Sequence, residues 1–152
     1  MHQVRRARPE DLDRIADLRV SLWPEGSFAE HRAEAEQMLA TGMNGTLPAA
    51  TFVAENEDGG LDGFVEVGLR SHADECNPAR PVGFIEGWFV REEYRQKGIG
   101  GELMNAAEEW CRKQRCLEMA SDARIDNTVS HHAHEALGFE IVDRCVHFRK
   151  TL

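Results

Sequence analysis

Apolar residues recur at two different spacings along the chain, and the changes of spacing predict the order of helices and strands. Residues 3–8 alternate weakly as a strand, and a helix follows them with apolar residues at helical spacing until the breaker cluster WPEG at 23–26. A second helix is predicted over 27–39, with Ser27 as its N-cap, before glycines and a proline interrupt it.

The middle of the chain changes to strand patterns. Residues 50–55 and 61–69 are strand-like, and the NEDGG segment between them indicates a hairpin turn. After a polar loop, residues 82–90 (VGFIEGWFV) form an almost uninterrupted apolar run, typical of a central buried strand. Glu86 is the only charge in this run.

The last third of the chain returns to alternating helices and strands. A helix is predicted over 98–114, a short strand over 117–121, and a helix from Asn127 or Thr128 to Leu137, with Gly138 as its C-cap. Residues 140–149 alternate as a final strand. With 152 residues, the chain has the length of one α/β domain with mixed elements, spanning 1–152.

Composition and charge narrow the function classes. The chain is 41% hydrophobic and 30% charged, which excludes a disordered tail, and no apolar run approaches the roughly 20 residues of a membrane span. Its formal charge of −9 disfavours nucleic acid as a partner, since phosphate binding needs clustered Lys and Arg. The acidity fits either a cationic partner or solubility alone.

Cysteine, histidine and N-terminal patterns point to a cytoplasmic protein without a metal. The four cysteines form no C-x-x-C pair and are expected to be reduced thiols. His131, His132 and His134 have no companion ligands at a recognised zinc spacing, so no metal is expected. No apolar region of a signal peptide follows the charged N-terminus.

The most informative segment is RQKGIGG at 95–101, between the strongest strand and the longest helix. Glycines at a helix N-terminus let backbone N–H groups approach an anion closely, so the segment predicts a pyrophosphate cradle. A turn with tight helix packing is the alternative. The chain has neither a P-loop nor an early dinucleotide fingerprint, so ATP and NAD are not supported.

This arrangement resembles the GNAT acetyltransferase family, whose [RQ]-x-x-G-x-[GA] signature is supplied by Arg95, Gly98 and Gly100. The family's L-G-F triplet at the end of the last helix appears as LGF at 137–139. The resemblance implies a mixed, mostly antiparallel sheet flanked by about four helices. It also implies that strands 82–90 and 117–121 splay apart and hold acetyl-CoA as co-substrate.

The resemblance further implies the residues that contact the co-substrate. Backbone groups of Trp88, Phe89 and Val90 would pair with the pantetheine arm, and the amides of about residues 96–101 would hold the pyrophosphate. Asn127 matches a contact near the thiol, with helix N-capping as its alternative. His134 stands where many relatives have a tyrosine that assists the leaving thiolate, and a surface histidine is its alternative. The expected cofactor-binding set is Trp88, Phe89, Val90, Arg95, Gln96, Lys97, Gly98, Ile99, Gly100, Gly101, Asn127 and His134.

Within the family, several segments in shared order resemble the aminoglycoside 6'-N-acetyltransferases. They include LWP at 22–24, GFIEG at 83–87, ASD at 120–122 and FRK at 148–150. The resemblance implies acetylation of the 6'-amine of these antibiotics, a resistance activity, and a homodimer that uses the C-terminal strand. Other acceptors (a polyamine, an amino acid or a protein N-terminus) and a non-catalytic acyl-CoA-binding domain remain as alternatives.

Aminoglycosides are polycations, so carboxylates are expected around the acceptor. An amine with a pKa near ~10.4 is protonated at neutral pH and needs a general base. Glu86 is predicted to act as this base through a water, and a buried glutamate paired with an arginine is its alternative. The predicted substrate-binding residues are Trp23, Asp74, Glu75, Glu86, Asp122 and Asp126, and the predicted catalytic residues are Glu86 and His134.

Two of the predicted substrate-binding residues, Trp23 and Asp126, also have purely structural explanations. Core packing is the alternative for Trp23, and N-capping is the alternative for Asp126. The loop that carries Asp74 and Glu75 is expected to overhang the acceptor cleft. We expect direct transfer in a ternary complex, with the N–H of Val90 or a neighbour polarising the thioester carbonyl. Cys76 as a covalent acetyl carrier lacks an adjacent base.

Overall fold

The computed structural model describes all residues, 1–152, and contains six strands and four α-helices. The strands are β1 (Gln3–Arg6), β2 (Met43–Asn44), β3 (Leu47–Glu55), β4 (Leu61–Arg70), β5 (Val82–Val90) and β6 (Met119–Ser121). The helices are α1 (Leu12–Leu22), α2 (Phe28–Thr41), α3 (Ile99–Lys113) and α4 (Thr128–Ala136). The predicted mixed α/β fold is confirmed.

The main sheet has the strand order β1-β3-β4-β5-β6, and the short strand β2 pairs with β3. All pairings are antiparallel except that of β5 with β6. Antiparallel neighbours can be joined by tight turns, whereas the parallel pair needs a crossover, which α3 provides. The sheet is therefore mixed and mostly antiparallel.

Helices cover both faces of the sheet, because β3, β4 and β5 carry apolar residues on both sides. On one face Leu103 and Trp110 of α3 pack with Val65, Val67 and Ile85. On the other face α1 and α2 form a second cluster against the sheet, which includes Ile15, Leu18, Ala35, Val53 and Phe64. Helix α3 presents one strongly apolar stripe to the sheet, as its 3.6-residue pattern predicts.

A β-bulge interrupts the ladder between β4 and β5 in the middle of the sheet. Glu66 pairs with Gly87 and Val67 pairs with Ile85, which leaves Glu86 as an extra residue on β5. Bulges bend a strand and re-aim side chains. The pairing of β5 with β6 covers only residues 83–85 and 119–121, so the strands are no longer paired from Glu86 onward. This gap is the splay expected from the resemblance.

The predicted final strand over 140–149 is wrong for the single chain. Residues 140–152 form no regular secondary structure and make no backbone hydrogen bond to the rest of the protein. A strand requires a partner edge, and this segment pairs with no other part of its own chain. The strand predicted over 117–121 is also shorter, at Met119–Ser121. None of the helices is both long and apolar enough to cross a bilayer.

Candidate active site

The glycine-rich segment forms an open concavity at the start of α3. Gly98 is the N-cap residue with φ +85°, and Gln96 also has a positive φ of 59°. Left-handed residues at this turn direct successive backbone N–H groups inward, and the first amides of the helix have no intrahelical acceptor. A Cβ built at Gly98 would have no heavy atom within 4 Å, so the concavity is open above this residue.

Trp88 holds this concavity against β5. Its indole Nε1–H donates to the carbonyl of Gly100 at 3.1 Å, and a Cβ at Gly100 would lie 3.2 Å from the indole ring. The glycine at position 100 therefore permits the close approach of α3 to β5. The helix N-terminus consequently lies beside the edge that β5 exposes after it separates from β6.

The exposed edge of β5 offers backbone groups at Trp88 and Val90. The N–H of Arg91 donates to the carbonyl of Asp62 on β4. Because antiparallel ladder bonds alternate, the backbone of Phe89 also faces β4, while Trp88 and Val90 face the gap. The expected pairing of the pantetheine arm with all three residues is thus corrected: Phe89 has its groups in the ladder.

The two cations of the segment contact protein backbone. The guanidinium of Arg95 donates from Nε to the carbonyl of Val90 at 2.8 Å and lies 5.5 Å from the centroid of the Phe89 ring. The ammonium of Lys97 donates to the carbonyl of Glu93 at 3.2 Å. Arg95 therefore ties the segment to the end of β5.

His134 lies at the base of the gap and joins α4 to β5 and β6. Its Nδ1 lies 2.7 Å from the carbonyl of Ser130, so Nδ1 carries the proton in the neutral ring. Its Nε2 then accepts from the hydroxyl of Ser121 at 2.8 Å. The ring also meets Trp88 and Phe139 edge to face. His134 is partly buried and fully hydrogen-bonded, unlike a free surface histidine.

Asn127 caps α4, as its alternative interpretation predicts. Its Oδ1 accepts from the N–H of Ser130 at 3.1 Å. Asp126 does not cap the helix and forms an exposed ion pair with Arg124. Asn127 remains a predicted contact for the co-substrate, and N-capping does not explain Asp126.

Glu86, the bulged residue of β5, is paired with Arg70 at the end of β4. Arg70 donates from Nε and Nη2 to the two carboxylate oxygens at 3.0 and 2.8 Å. The Glu86 side chain is 24% exposed, so the pair lies at the surface of the gap and not in the core. An arginine partner is therefore present, as the alternative interpretation proposed, but the carboxylate remains accessible from solvent.

Trp23 lies on the same face of β5 as Glu86. A Cβ at Gly87 would lie 2.6 Å from Cη2 of its indole, so Gly87 permits a close contact. The ring also meets Phe64 edge to face at 6.3 Å and stacks on His31. Trp23 is only partly buried, so part of its side chain remains accessible to solvent.

A buried polar network behind Trp23 was not predicted from the sequence. Arg19 donates to the carboxylates of Glu66 and Glu34 and approaches the Trp23 ring with its guanidinium. Burial raises the pKa of Glu66, and the charge of Arg19 opposes this shift. His31 contacts the carbonyl of Trp23 through Nε2 at 2.9 Å. The network fixes the backbone and the ring of Trp23 from behind.

The remaining predicted acids are exposed. Asp74 and Glu75 form no hydrogen bond or ion pair through their side chains, and Asp122 forms none either. Their loop is tied to the start of β6, because the N–H of Asn77 donates to Glu118 at 2.8 Å. No hydrogen bond or ion pair joins this loop to Trp23 or Glu86.

Comparison with known proteins decides the family. A family model described as "Acetyltransferase (GNAT) family" matches residues 12–139. The aminoglycoside N(6')-acetyltransferase type 1 of Stenotrophomonas maltophilia is 38% identical over 149 residues, which cover 98% of this chain and 93% of that protein. The protein of the same name from Serratia marcescens is 39% identical over 144 residues, 94% of each chain.

The chain belongs to the GNAT acetyltransferases, among the aminoglycoside N(6')-acetyltransferases. Solved GNAT structures agree over the whole length. AAC(6')-Iy, solved with the bisubstrate analog CoA-S-monomethyl-acetylneamine, superposes with a TM-score of 0.89 at 33% identity, covering 100% of this chain and 99% of its own. The apo AAC(6')-IG of Acinetobacter haemolyticus superposes with a TM-score of 0.86 at 31% identity, covering 99% of each chain.

The structure places the predicted residues on the two faces of β5, and it adds contacts that were not predicted from the sequence. The concavity at 95–101, the edge of β5 and His134 lie on the α3 side, while Glu86 and Trp23 lie on the α1 side. Arg70 and Ser121 were not predicted, and the Arg19 network was missed as well. The sequence did contain one signal for Arg70, because it is a charged residue at the end of a predicted strand.

Proposed function

We propose that the protein is an acetyl-CoA-dependent aminoglycoside 6'-N-acetyltransferase that confers antibiotic resistance. The observation that carries this proposal is the arrangement of the gap at the bulge of β5. An amide-lined concavity opens on one side of the strand, and a carboxylate beside an indole lies on the other. The full-length relatives that bear this activity in their names support the same function.

On the side of β5 that faces α3, the chain offers groups suited to the pyrophosphate and the pantetheine arm of acetyl-CoA. The free amides at the start of α3 and the positive end of the helix would hold the pyrophosphate. The edge groups of Trp88 and Val90 would pair with the arm as an added strand. Acetyl-CoA supplies the activated acetyl thioester.

On the acceptor side, negative charge and an aromatic surface suit a polycationic sugar. Trp23 would support a sugar ring, since aromatic faces pack well against apolar ring surfaces. Asp122 and Asp126 would attract the remaining ammonium groups, together with Asp74 and Glu75 on their loop. These carboxylates are exposed and are therefore available to a ligand.

The reaction is direct transfer within a ternary complex. Freeing an amine with a pKa near ~10.4 costs about 4 kcal/mol near neutral pH, so Glu86 would receive its proton through a water. The N–H of Val90 or of Trp88, both of which face the gap, would stabilise the developing oxyanion. His134 can donate to the departing thiolate through Nε2 only when that nitrogen carries a proton, because Nε2 is an acceptor in the neutral ring.

The protein is proposed to form a homodimer through its C-terminal segment, residues 140–152. This segment exposes large apolar side chains, with Val146 74% and Phe148 93% exposed. Strand β6 is the last strand of the sheet, so one of its edges has no partner. A second copy of the chain would cover the apolar segment and could pair it as the strand that its alternation predicts.

Size-exclusion chromatography with light-scattering detection measures the molar mass and so tests the proposed dimer. The wild type should have twice the chain mass of 17.1 kDa, and Phe148→Asp should have the single mass. Phe28→Asp, at an exposed position of α2, is the matched control and should remain dimeric. A wild-type monomer would contradict the dimer, as would a Phe148→Asp dimer.

A cytoplasmic location is proposed because the cysteines are suited to a reducing compartment. All four are free thiols, and none lies in a disulfide. The proposed co-substrate is also a cytoplasmic metabolite. Fractionation of cells that express the protein should recover it with cytoplasmic markers, and recovery in the periplasm would contradict this location.

The function itself is tested by following the release of CoA thiol with a panel of acceptors. Kanamycin and tobramycin should give turnover, whereas spermine and a peptide amine should give little. Turnover only with spermine or the peptide would favour a GNAT with another acceptor. Absence of release with every aminoglycoside would contradict the proposal.

A further inference from the structure

The guanidinium of Arg70 occupies the position where the acceptor's ammonium group should meet Glu86. It forms a two-pronged contact with both carboxylate oxygens, at 3.0 and 2.8 Å. Its Cζ also lies 3.4 Å from the centroid of the Phe84 ring, on the same strand as Glu86. The pair thus lies flat along β5, at the bulge where β5 separates from β6.

This contact conflicts with the role proposed for Glu86. A carboxylate whose two oxygens accept from a guanidinium keeps only about two of its four lone-pair sites, and the guanidinium already balances its charge. The arginine cannot lose its proton at neutral pH, so it can leave Glu86 only by moving away. The acceptor must therefore compete with Arg70 for the same carboxylate.

The surroundings make such a displacement feasible. The Arg70 side chain is 45% exposed, and exposed ion pairs are weak and easily exchanged. Hydrogen bonds to Glu86, followed by the charges of Glu86 and Asp122, raise the pKa of Arg70 against the opposing effect of burial. Asp122 therefore provides a second carboxylate near the guanidinium, close to the point where β6 ends.

We infer that Arg70 is a specificity-determining residue, an internal cation that holds Glu86 until a polycationic acceptor displaces it. This inference rests on the proposed function. An acceptor with several ammonium groups can satisfy Glu86 and Asp122 at once and offset the loss of the Arg70 contact. A sugar with a single amine can replace only one of these interactions, so Arg70 selects against it.

The test compares Arg70→Gln with the wild type on two acceptors, neamine and the monoamine 6-amino-6-deoxyglucose. Glutamine keeps a hydrogen bond to Glu86 but carries no charge. Since an exposed ion pair corresponds to roughly a two- to fivefold change in binding, the KM for the monoamine should fall about fivefold and the KM for neamine about twofold or less. The KM for acetyl-CoA and the melting temperature should not change.

Arg112→Gln is the matched control, because Arg112 also pairs with carboxylates but lies on the exposed side of α3. It should leave both KM values unchanged. Titration calorimetry with neamine measures binding without turnover. Arg70→Gln should bind neamine more tightly than the wild type does, whereas adding Arg70→Gln to the Glu86→Gln variant should not change the affinity.

The outcomes separate the two proposals. A wild type that releases no CoA thiol with any aminoglycoside overturns the proposed function and this inference with it. An active wild type whose KM for the monoamine is unchanged or raised by Arg70→Gln overturns the role of Arg70 alone. An equal effect of Arg70→Gln in the Glu86→Gln background also overturns it.

Discussion

The indole of Trp23 packs against the backbone of Gly87, so closely that a Cβ at residue 87 would lie 2.6 Å from its Cη2 atom. Gly87 follows Glu86, the extra residue of the β5 bulge. The aromatic surface and the carboxylate are thus positioned by neighbouring residues of one strand. Any side chain at 87 would push Trp23 away from Glu86.

We therefore expect Gly87→Ala to impair the acceptor side and leave the donor side intact. Overpacking costs about 1–3 kcal/mol, so the melting temperature should fall and the KM for kanamycin should rise about tenfold. The KM for acetyl-CoA should stay the same. Gly68→Ala on β4 is the control, since its Cβ would meet only an ordinary contact of 3.5 Å. An unchanged KM for kanamycin in Gly87→Ala would remove Trp23 from the acceptor site.

Gly98 tests the predicted cradle. Alanine at its φ of +85° costs about 1–2 kcal/mol in strain, and its methyl group would point into the open concavity. Loss of charge-assisted hydrogen bonds to phosphate should weaken CoA binding about ten- to hundredfold, measured by calorimetry.

Gly42→Ala is a close control for this variant. Gly42 also has a positive φ, 66°, and open space around its Cβ, but it ends α2. It should melt lower by a similar amount and bind CoA normally. Normal CoA binding by Gly98→Ala would contradict the cradle.

Glu86→Gln tests the general base. Glutamine has the same shape but cannot accept the proton, so kcat should fall about 10²–10⁴-fold near neutral pH. Affinity for acetyl-CoA should change little, because the carboxylate faces the acceptor side. Glu36→Gln, at an exposed ion pair on α2, should have wild-type kinetics. Wild-type turnover by Glu86→Gln would exclude the role.

Cys111 should be inert in the folded protein. Burial raises the pKa of its thiol to about 12, so almost no thiolate is present at pH 8. An aromatic disulfide reagent should therefore react quickly with exposed Cys145 and with Cys111 only after unfolding. Cys76 and Cys116 are partly exposed, so Cys145→Ser should reduce the fast phase and not remove it. Fast labelling of Cys111, identified by mass spectrometry, would contradict its burial.

The raised pKa of Cys111 also has a consequence for stability. The folded protein keeps this proton at pH values where the unfolded thiol, with a pKa near ~8.5, has lost it. The free energy of unfolding contributed by Cys111 is thus complete below the unfolded value and declines as the pH rises toward 12. Cys111→Ser should flatten this decline in denaturant titrations at alkaline pH.

Local patterns predicted much of the fold. The apolar run at 82–90 coincides with β5, and the helical spacing after Gly98 predicts α3 to within a residue at each end. Both elements have strong internal patterns and end at residues with specific backbone preferences. The glycine segment likewise has the left-handed turn that an anion cradle requires.

Features that depend on long-range pairing were missed. The bulge at Glu86 arises from the register between β4 and β5, which no single segment encodes. The Arg70 contact depends on the same register, since sixteen residues separate Arg70 from Glu86. The alternation at 140–149 indicates a strand, but this segment pairs with no edge of its own chain.

The most direct test of the central claim is regiospecific acetylation of a matched pair of antibiotics. Neomycin carries an amine at the 6' position, and paromomycin carries a hydroxyl there and is otherwise the same. The account predicts CoA thiol release with neomycin, a product acetylated at the 6'-nitrogen by NMR, and no release with paromomycin. Equal turnover of both, or acetylation of neomycin at another nitrogen, would contradict it.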